Sequence, residues 1–201
     1  KSVLLIPLTT KEWVSGFLDI GSGHHGRLTP EHLATAENIA SQISVALENA
    51  RLYEELQGLL ISTITSLASA IDAKSPWTKG HSERVTRYAI EIGKELALTE
   101  AEVERLRLAG LLHNVGKIGT YDVLLDKPGK FSDEEFELVK KHPAMGAEIL
   151  APIKQLSDII PGILHHHERF DGKGYPYGLR GDEVPFQARI LCAADSFDAM
   201  T

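Results

Sequence analysis

The sequence predicts a mainly α protein with a short β start, and three observations carry that prediction. Two short apolar segments with strand character stand within the first 20 positions. From Thr29 onward apolar residues recur at steps of three and four. Helix-start signals stand ahead of the apolar stretches that follow. Residues 2–8 and 13–20 read as strands, and the connector 9–12 makes them a hairpin. Residues 21–27 form a loop. Thr29, Pro30 and Glu31 open a helix with a capping hydroxyl, a proline at the first helical position and an acid on the positive end of the dipole. Ile39, Ile43, Ala46, Ala50, Tyr53, Leu56, Leu60, Thr63, Leu67 and Ala70 then hold one stripe with no proline. A stripe of this length reads as a connecting helix paired with a parallel copy in a homodimer. Two ordinary helices broken near Gly58 also fit the same residues.

Beyond that the chain reads as all-helical. Ser75 and Pro76 start a helix carrying His81. Thr99 with Glu102 and Ser132 with Glu135 are capping boxes. The first leads to Val103, Leu106, Gly110 and His113. The second leads to Phe136, Val139 and His142, with Pro143 read as the stop. Residues 155–167 and 185–200 are the last two helices, and 126–130 and 171–181 are glycine- and proline-rich loops.

The length of 201 residues and hydrophobic content of 43% suit one full domain plus part of another. Opening on Lys1 and closing on Thr201, the sequence reads as a piece of a longer protein. No apolar run nears the roughly 20 residues of a membrane span, and no secretory leader opens the chain, so a cytoplasmic location is expected. The single cysteine, Cys192, excludes an internal disulfide and suits a reducing compartment. Its apolar surroundings, 190–194, make it a core thiol. A net charge of −7 weighs against long nucleic acid as a partner. It leaves room for a small anion in a local basic or metal-lined pocket.

Six of the nine histidines stand at 81, 113, 142, 165, 166 and 167, in or beside apolar helical segments. One such histidine reads as a core residue; several together read as ligands converging from different helices on a metal. Asp195 shares the apolar stripe of Leu191 and Ala188, where a carboxylate is costly unless paired or metal-bound. Asp198, one turn on, is placed to support it. Lys117, four residues after His113, reads either as a phosphate contact beside a metal or as a solvated surface lysine. The segment from Asp171 to Pro176 is a rigid, turn-rich loop.

Taken together, these residues resemble the HD-GYP family, a branch of the HD metal-dependent phosphohydrolases. The resemblance covers about 60–201. It rests on His-Ser-Glu-Arg-Val at 81–85, Leu-Leu-His-Asn-Val-Gly-Lys-Ile-Gly at 111–119, Lys-His-Pro at 141–143, His-His-Glu-Arg-Phe-Asp-Gly-Lys-Gly-Tyr-Pro at 166–176, and Ala-Asp-Ser-Phe-Asp-Ala-Met at 194–200. It implies an all-helical HD-type bundle that hydrolyses cyclic di-GMP to linear pGpG or GMP. It implies two divalent metal ions, Fe or Mn first, with Zn, Ni or Co as alternatives. The implied ligands are His81, His113, Asn114, His142, His166, His167 and Asp195. Lys117 is implied as the phosphate contact, and Asp171, Gly174, Tyr175 and Pro176 as the substrate-binding loop. His165 lies outside the matched pair.

The chain departs from the family at Asn114, where the motif has aspartate. An amide offers one coordinating oxygen where a carboxylate offers two, and it removes a negative charge. The same resemblance therefore implies two readings: a phosphodiesterase with activity reduced at Asn114, or a non-catalytic sensor of cyclic di-GMP or docking module. Trp77 stands where some members carry a further carboxylate ligand, which weighs against a third metal. The family continues past Thr201 into a basic segment. Residues 1–57 resemble, more loosely, the last strands and C-terminal helix of a GAF sensory domain, which places the HD-GYP domain at 58–201. Regulation by that upstream domain, a homodimer through the long helix, and diguanylate cyclase or effector partners complete the expectation.

Overall fold

The computed structural model describes residues 1–10, 13–73, 79–119 and 129–201. These form two compact units, Lys1–Ile61 and Ser62–Thr201.

In the first unit, β1 (Ser2–Thr9) pairs antiparallel with β2 (Val14–Ser22), in a register running from Ser2 opposite Ser22 to Leu8 opposite Gly16. An irregularity falls at Leu8/Thr9. Residues 11–12 of the expected hairpin connector lie outside the described residues. Ile6 and Leu8 point to one face and pack on Ala36 and Ala40 of α1 (Pro30–Asp72). Alanines there let the helix lie close to the sheet. Alternation leaves Val3, Leu5 and Phe17 exposed.

Helix α1 runs 43 residues without a break at Gly58. One glycine costs a helix about 1 kcal/mol against alanine, and nothing else in the segment breaks helix. Continuity therefore wins over the two-helix alternative. Its stripe is open, with Tyr53, Leu56, Leu60 and Leu67 exposed.

The second unit is helical: α2 (His81–Glu95), α3 (Glu100–Leu112), a 3₁₀ turn (Val115–Gly119), α4 (Asp133–Val139), α5 (His142–Leu150), a 3₁₀ segment (Lys154–Ile159), α6 (Ile160–Leu164), a short 3₁₀ turn (Gly181–Glu183) and α7 (Phe186–Met200). Ile64, Ala68 and Ile71 from the end of α1 join Val85, Ala89, Leu106, Ala109, Ile163, Leu191 and Ala194 in one core. Close crossings set its geometry. A Cβ at Gly110 would lie 2.9 Å from the Cα of Thr86, and one at Gly116 would lie 1.9 Å from the carbonyl oxygen of His142.

Both capping boxes form as the sequence predicts. Helix α2 is capped from a distance. The Asp72 carboxylate accepts the backbone N–H and the hydroxyl of Ser82, each at 2.8 Å. Ser75, Pro76 and Trp77 lie outside the described residues, as do 126–128.

Two expectations need correction. Pro143 does not end a helix. Helix α4 stops at Val139, and Pro143 sits in the first turn of α5, where its missing N–H costs nothing. The expected helix over 155–167 is a 3₁₀ segment followed by the five-residue α6. Pro161 falls in the first turn of α6, where it fits a new start and not a continuation.

Candidate metal centre

Three histidines sit at chain reversals of the second unit. His113 caps the end of α3, His142 opens α5, and His166 follows α6. Each donates its Nδ1–H to a carbonyl three residues back: Gly110 at 2.7 Å, Val139 at 2.7 Å and Ile163 at 2.6 Å. That bond fixes the tautomer and leaves Nε2 with a free lone pair. All three rings are buried. Burial, the largest influence, holds them neutral, with pKa values pushed down to about 4 for His113 and about 3 for His142 and His166. Burial likewise pushes His167 far below the ordinary histidine range.

The lone pairs converge. His142 Nε2 lies 3.3 Å from His166 Nε2, and the His167 ring centroid is 4.0 Å from that of His166. Two lone pairs face each other at that distance with no proton between them, an arrangement that a cation relieves. His142, His166 and His167 form one group able to hold a metal ion, with donor atoms within 4.8 Å of one another; His81, His113 and Asp195 form another. Asp195 links the two, its oxygens lying 3.1 Å from His81 Nε2, 3.9 Å from His113 Nε2 and 3.7 Å from His167 Nδ1.

His81 differs from the other rings because carboxylates flank both of its nitrogens. Its Nδ1 is 2.7 Å from Asp198. Burial would lower its pKa, but the hydrogen bonds to Asp195 and Asp198 outweigh burial and raise it. Burial works against the charge on Asp195 too, yet its bond to His81 and the field of His113, His167 and His166 hold its carboxyl well below the usual range. Asp198 is in turn gripped by Arg84, Nε to Oδ1 at 2.7 Å and Nη2 to Oδ2 at 2.9 Å. The support expected from Asp198 therefore goes to His81.

Asn114, beside His113 in the chain, is 2% exposed, and neither its Oδ1 nor its Nδ2 has a hydrogen-bond partner; His113 Nε2 has none either. An unpaired buried polar group costs about 1–3 kcal/mol, so these atoms fit a place built to face a ligand. The donor chemistry fits divalent ions, with neutral imidazoles and one carboxylate. Lys117 lies in the 3₁₀ turn after His113. Burial lowers its ammonium pKa, partly offset by Asp195 and Asp72, and its charge is felt at His81, His113, His142 and His166.

The 171–176 loop borders this cluster. The Tyr175 ring centroid lies 4.7 Å from that of His167, and the Tyr175 N–H donates to the His167 carbonyl at 3.1 Å. The Tyr175–Pro176 peptide is cis. Gly174 approaches so closely that a Cβ would lie 2.5 Å from the Cα of Glu168. Asp171 is engaged within the loop, accepting from Arg169 and from the Lys173 N–H. Glu168 has a part that sequence reasoning missed. It is 1% exposed and accepts the N–H groups of Tyr177 at 2.7 Å and Leu179 at 3.1 Å, tethering the loop to the histidine run. Its one sequence signal is an acid directly after three histidines at a helix end. His165 stands apart from both metal-holding groups.

A helical unit presenting two histidine-rich donor groups from the ends of its helices defines the class, and comparison agrees. The HD domain family model matches residues 65–201, and the chain belongs to that family. Within it, the motifs are those of the HD-GYP branch. A solved HD-GYP-type protein, Bd1817 from Bdellovibrio bacteriovorus, is 28% identical with a TM-score of 0.52, over 60% of this chain and 40% of that one. The 3′3′-cGAMP-specific phosphodiesterase 3 of Vibrio cholerae is 42% identical over 138 residues, 69% of this chain and 30% of the relative. Cyclic di-GMP phosphodiesterase PA4108 of Pseudomonas aeruginosa is 38% identical over 153 residues, 75% of this chain and 37% of the relative. The chain thus spans about a third of the length of these curated relatives. No helix among the described residues is long and apolar enough to cross a membrane.

Proposed function

We propose that this chain carries the catalytic unit of a metal-dependent phosphodiesterase that opens a cyclic dinucleotide, cyclic di-GMP first, to linear pGpG or GMP. The observation that carries the reading is the set of histidines with Nδ1 tied back and Nε2 free, converging around Asp195. The relatives' names support the substrate class.

His81, His113 and Asp195 would hold one divalent ion and His142, His166 and His167 a second, with Asn114 as an added oxygen donor. Fe or Mn suits this mixture of imidazole and carboxylate, with Zn, Ni and Co as alternatives. When bound, such ions supply Lewis acidity at the phosphodiester and acidify water. The chain's own residues do the rest. Lys117, desolvated beside the cluster, holds a substrate phosphate. Tyr175 and Pro176 form the wall beside His167, and Glu168 keeps that wall in place. The first unit, GAF-like, would sit at the end of a sensory domain. The open stripe on α1 would pair with a second copy, transmitting the signal through a homodimer.

Asn114 favours a second reading, a domain that binds the cyclic dinucleotide without turning it over. The test is hydrolysis of cyclic di-GMP by metal-loaded protein, with Asn114 compared with Asn114→Asp. Turnover rising roughly 100-fold or more in the aspartate form supports the enzyme scaffold with Asn114 as its brake. Binding without turnover in both forms leaves the sensor reading standing and sinks the enzymatic one.

A further inference from the structure

A cavity of about 400 Å³ opens beside His167, within the roughly 300–1,000 Å³ range of small-molecule sites. Its walls include Phe136 and Lys140 from the α4 region, His167, Lys173, Tyr175 and Ser196. In a chain of net charge −7, this lining holds, among the described residues, three cations, Lys140, Arg169 and Lys173, and no carboxylate residue. The Arg169 guanidinium is already taken by Asp171 at 2.7 Å. Lys173 has no ion-pair partner among the described residues. Among the described residues Lys140 pairs only with Glu137, at 2.6 Å on the surface, where Glu137 is mostly exposed. Such a pair is easily given up. Phe136 and Tyr175 face each other edge to face with centroids 6.1 Å apart, and Lys140 Nζ lies 4.7 Å from the Phe136 ring. Two aromatic rings flanked by two available ammonium groups suit a ligand that is both flat and anionic. A base stacks on an aromatic face, and a phosphate takes the charge-assisted hydrogen bonds.

We infer that this cavity is a nucleotide subsite. It takes the half of the dinucleotide remote from the scissile phosphate, with Lys140 and Lys173 on its phosphate and Phe136 under its base. The inference rests on the phosphodiesterase reading of the neighbouring centre and adds α4 to the substrate-contacting surface. It makes Lys140, Lys173 and Phe136 specificity-determining residues, since none of them belongs to the metal-holding groups.

The test is calorimetric titration of the metal-loaded full chain with two probes, cyclic di-GMP and inorganic phosphate. The proteins are wild type, Lys140→Ala/Lys173→Ala and Phe136→Ala, each checked for metal content. Phosphate reports the centre in Phe136→Ala, which removes no cation from the subsite. The inference expects each variant to lose about tenfold or more in cyclic di-GMP affinity. Metal content should match wild type in every variant, and phosphate affinity should match it in Phe136→Ala. Charge reversal by Lys140→Glu should deepen the loss. If wild type binds cyclic di-GMP and the variants bind it equally well, the subsite is refuted and the function proposed above stands. If wild type binds phosphate but no cyclic di-GMP, the substrate assignment falls and the subsite with it. Parallel losses for phosphate and dinucleotide in Phe136→Ala, or a loss of metal in any variant, would show damage to the centre and overturn the subsite.

Discussion

A histidine is fitted to be a ligand here because something else has taken its other nitrogen. For His113, His142 and His166 that partner is the chain's own carbonyl three residues back; for His81 it is Asp198. The His81 arrangement depends on a distant residue, so it is the one open to mutation without touching the ligand. Asp198→Ala frees the ring to turn and leaves Arg84 unpaired. Metal affinity of the group containing His81 should fall about 10–100-fold, while the group containing His142 keeps its own. Stepwise metal titration checks this, with loss of one class of site and retention of the other as the expected result. The clustering of the histidines with Asp195 was legible in the sequence because titratable side chains in apolar stripes stand out. The destination of Asp198 was not, because one turn of helix places it near Asp195 while only the crossing of α2 and α7 shows that His81 intervenes. Glu168 escaped for a similar reason, since its partners are backbone N–H groups that carry no residue signature.

Among the elements, those with local signals were readable and those defined by contact were not. Capping boxes at Thr99 and Ser132 announce α3 and α4 through residues three apart. The apolar stripe announces α1. By contrast, the 3₁₀ turns at Val115–Gly119 and Lys154–Ile159 have no apolar period of their own. The turn after α3 exists because Gly116 lets it press on the start of α5. That contact couples the His113 and His142 arms. Gly116→Ala would drive a methyl group into the His142 carbonyl, with no flexible side chain to give way. A loss of about 1–3 kcal/mol or more is expected, read as a lower denaturant midpoint. Metal content should fall with it, because both ligand arms move. Pro143 misled the sequence reading for a physical reason: proline that cannot continue one helix can begin the next, and only the break at Val139 decides between them.

For the whole molecule, burying several neutral imidazoles makes stability depend on pH. An unfolded chain takes up protons on these histidines below about 6.5. The fold refuses them until about 4 for His113 and about 3 for His142 and His166. The unfolded state therefore binds more protons in this window, and stability falls as pH drops from about 6.5 toward 4. His81, with its raised pKa, acts in the opposite sense but is one ring against four, His167 being lowered as well. Thermal unfolding in chelator should show the melting temperature falling steadily across that range. Divalent metal, binding the folded form alone, should raise it at neutral pH. Burial, working against the carbonyl bonds, keeps these histidines free of a second proton. An ion arriving at this site near neutrality finds three of its imidazoles already bare, so it displaces almost no hydrogen ions from them. Uptake at those rings is thereby freed from competition with the surrounding acidity, and a mild fall in pH that would empty an ordinary exposed histidine site leaves these three donors on offer.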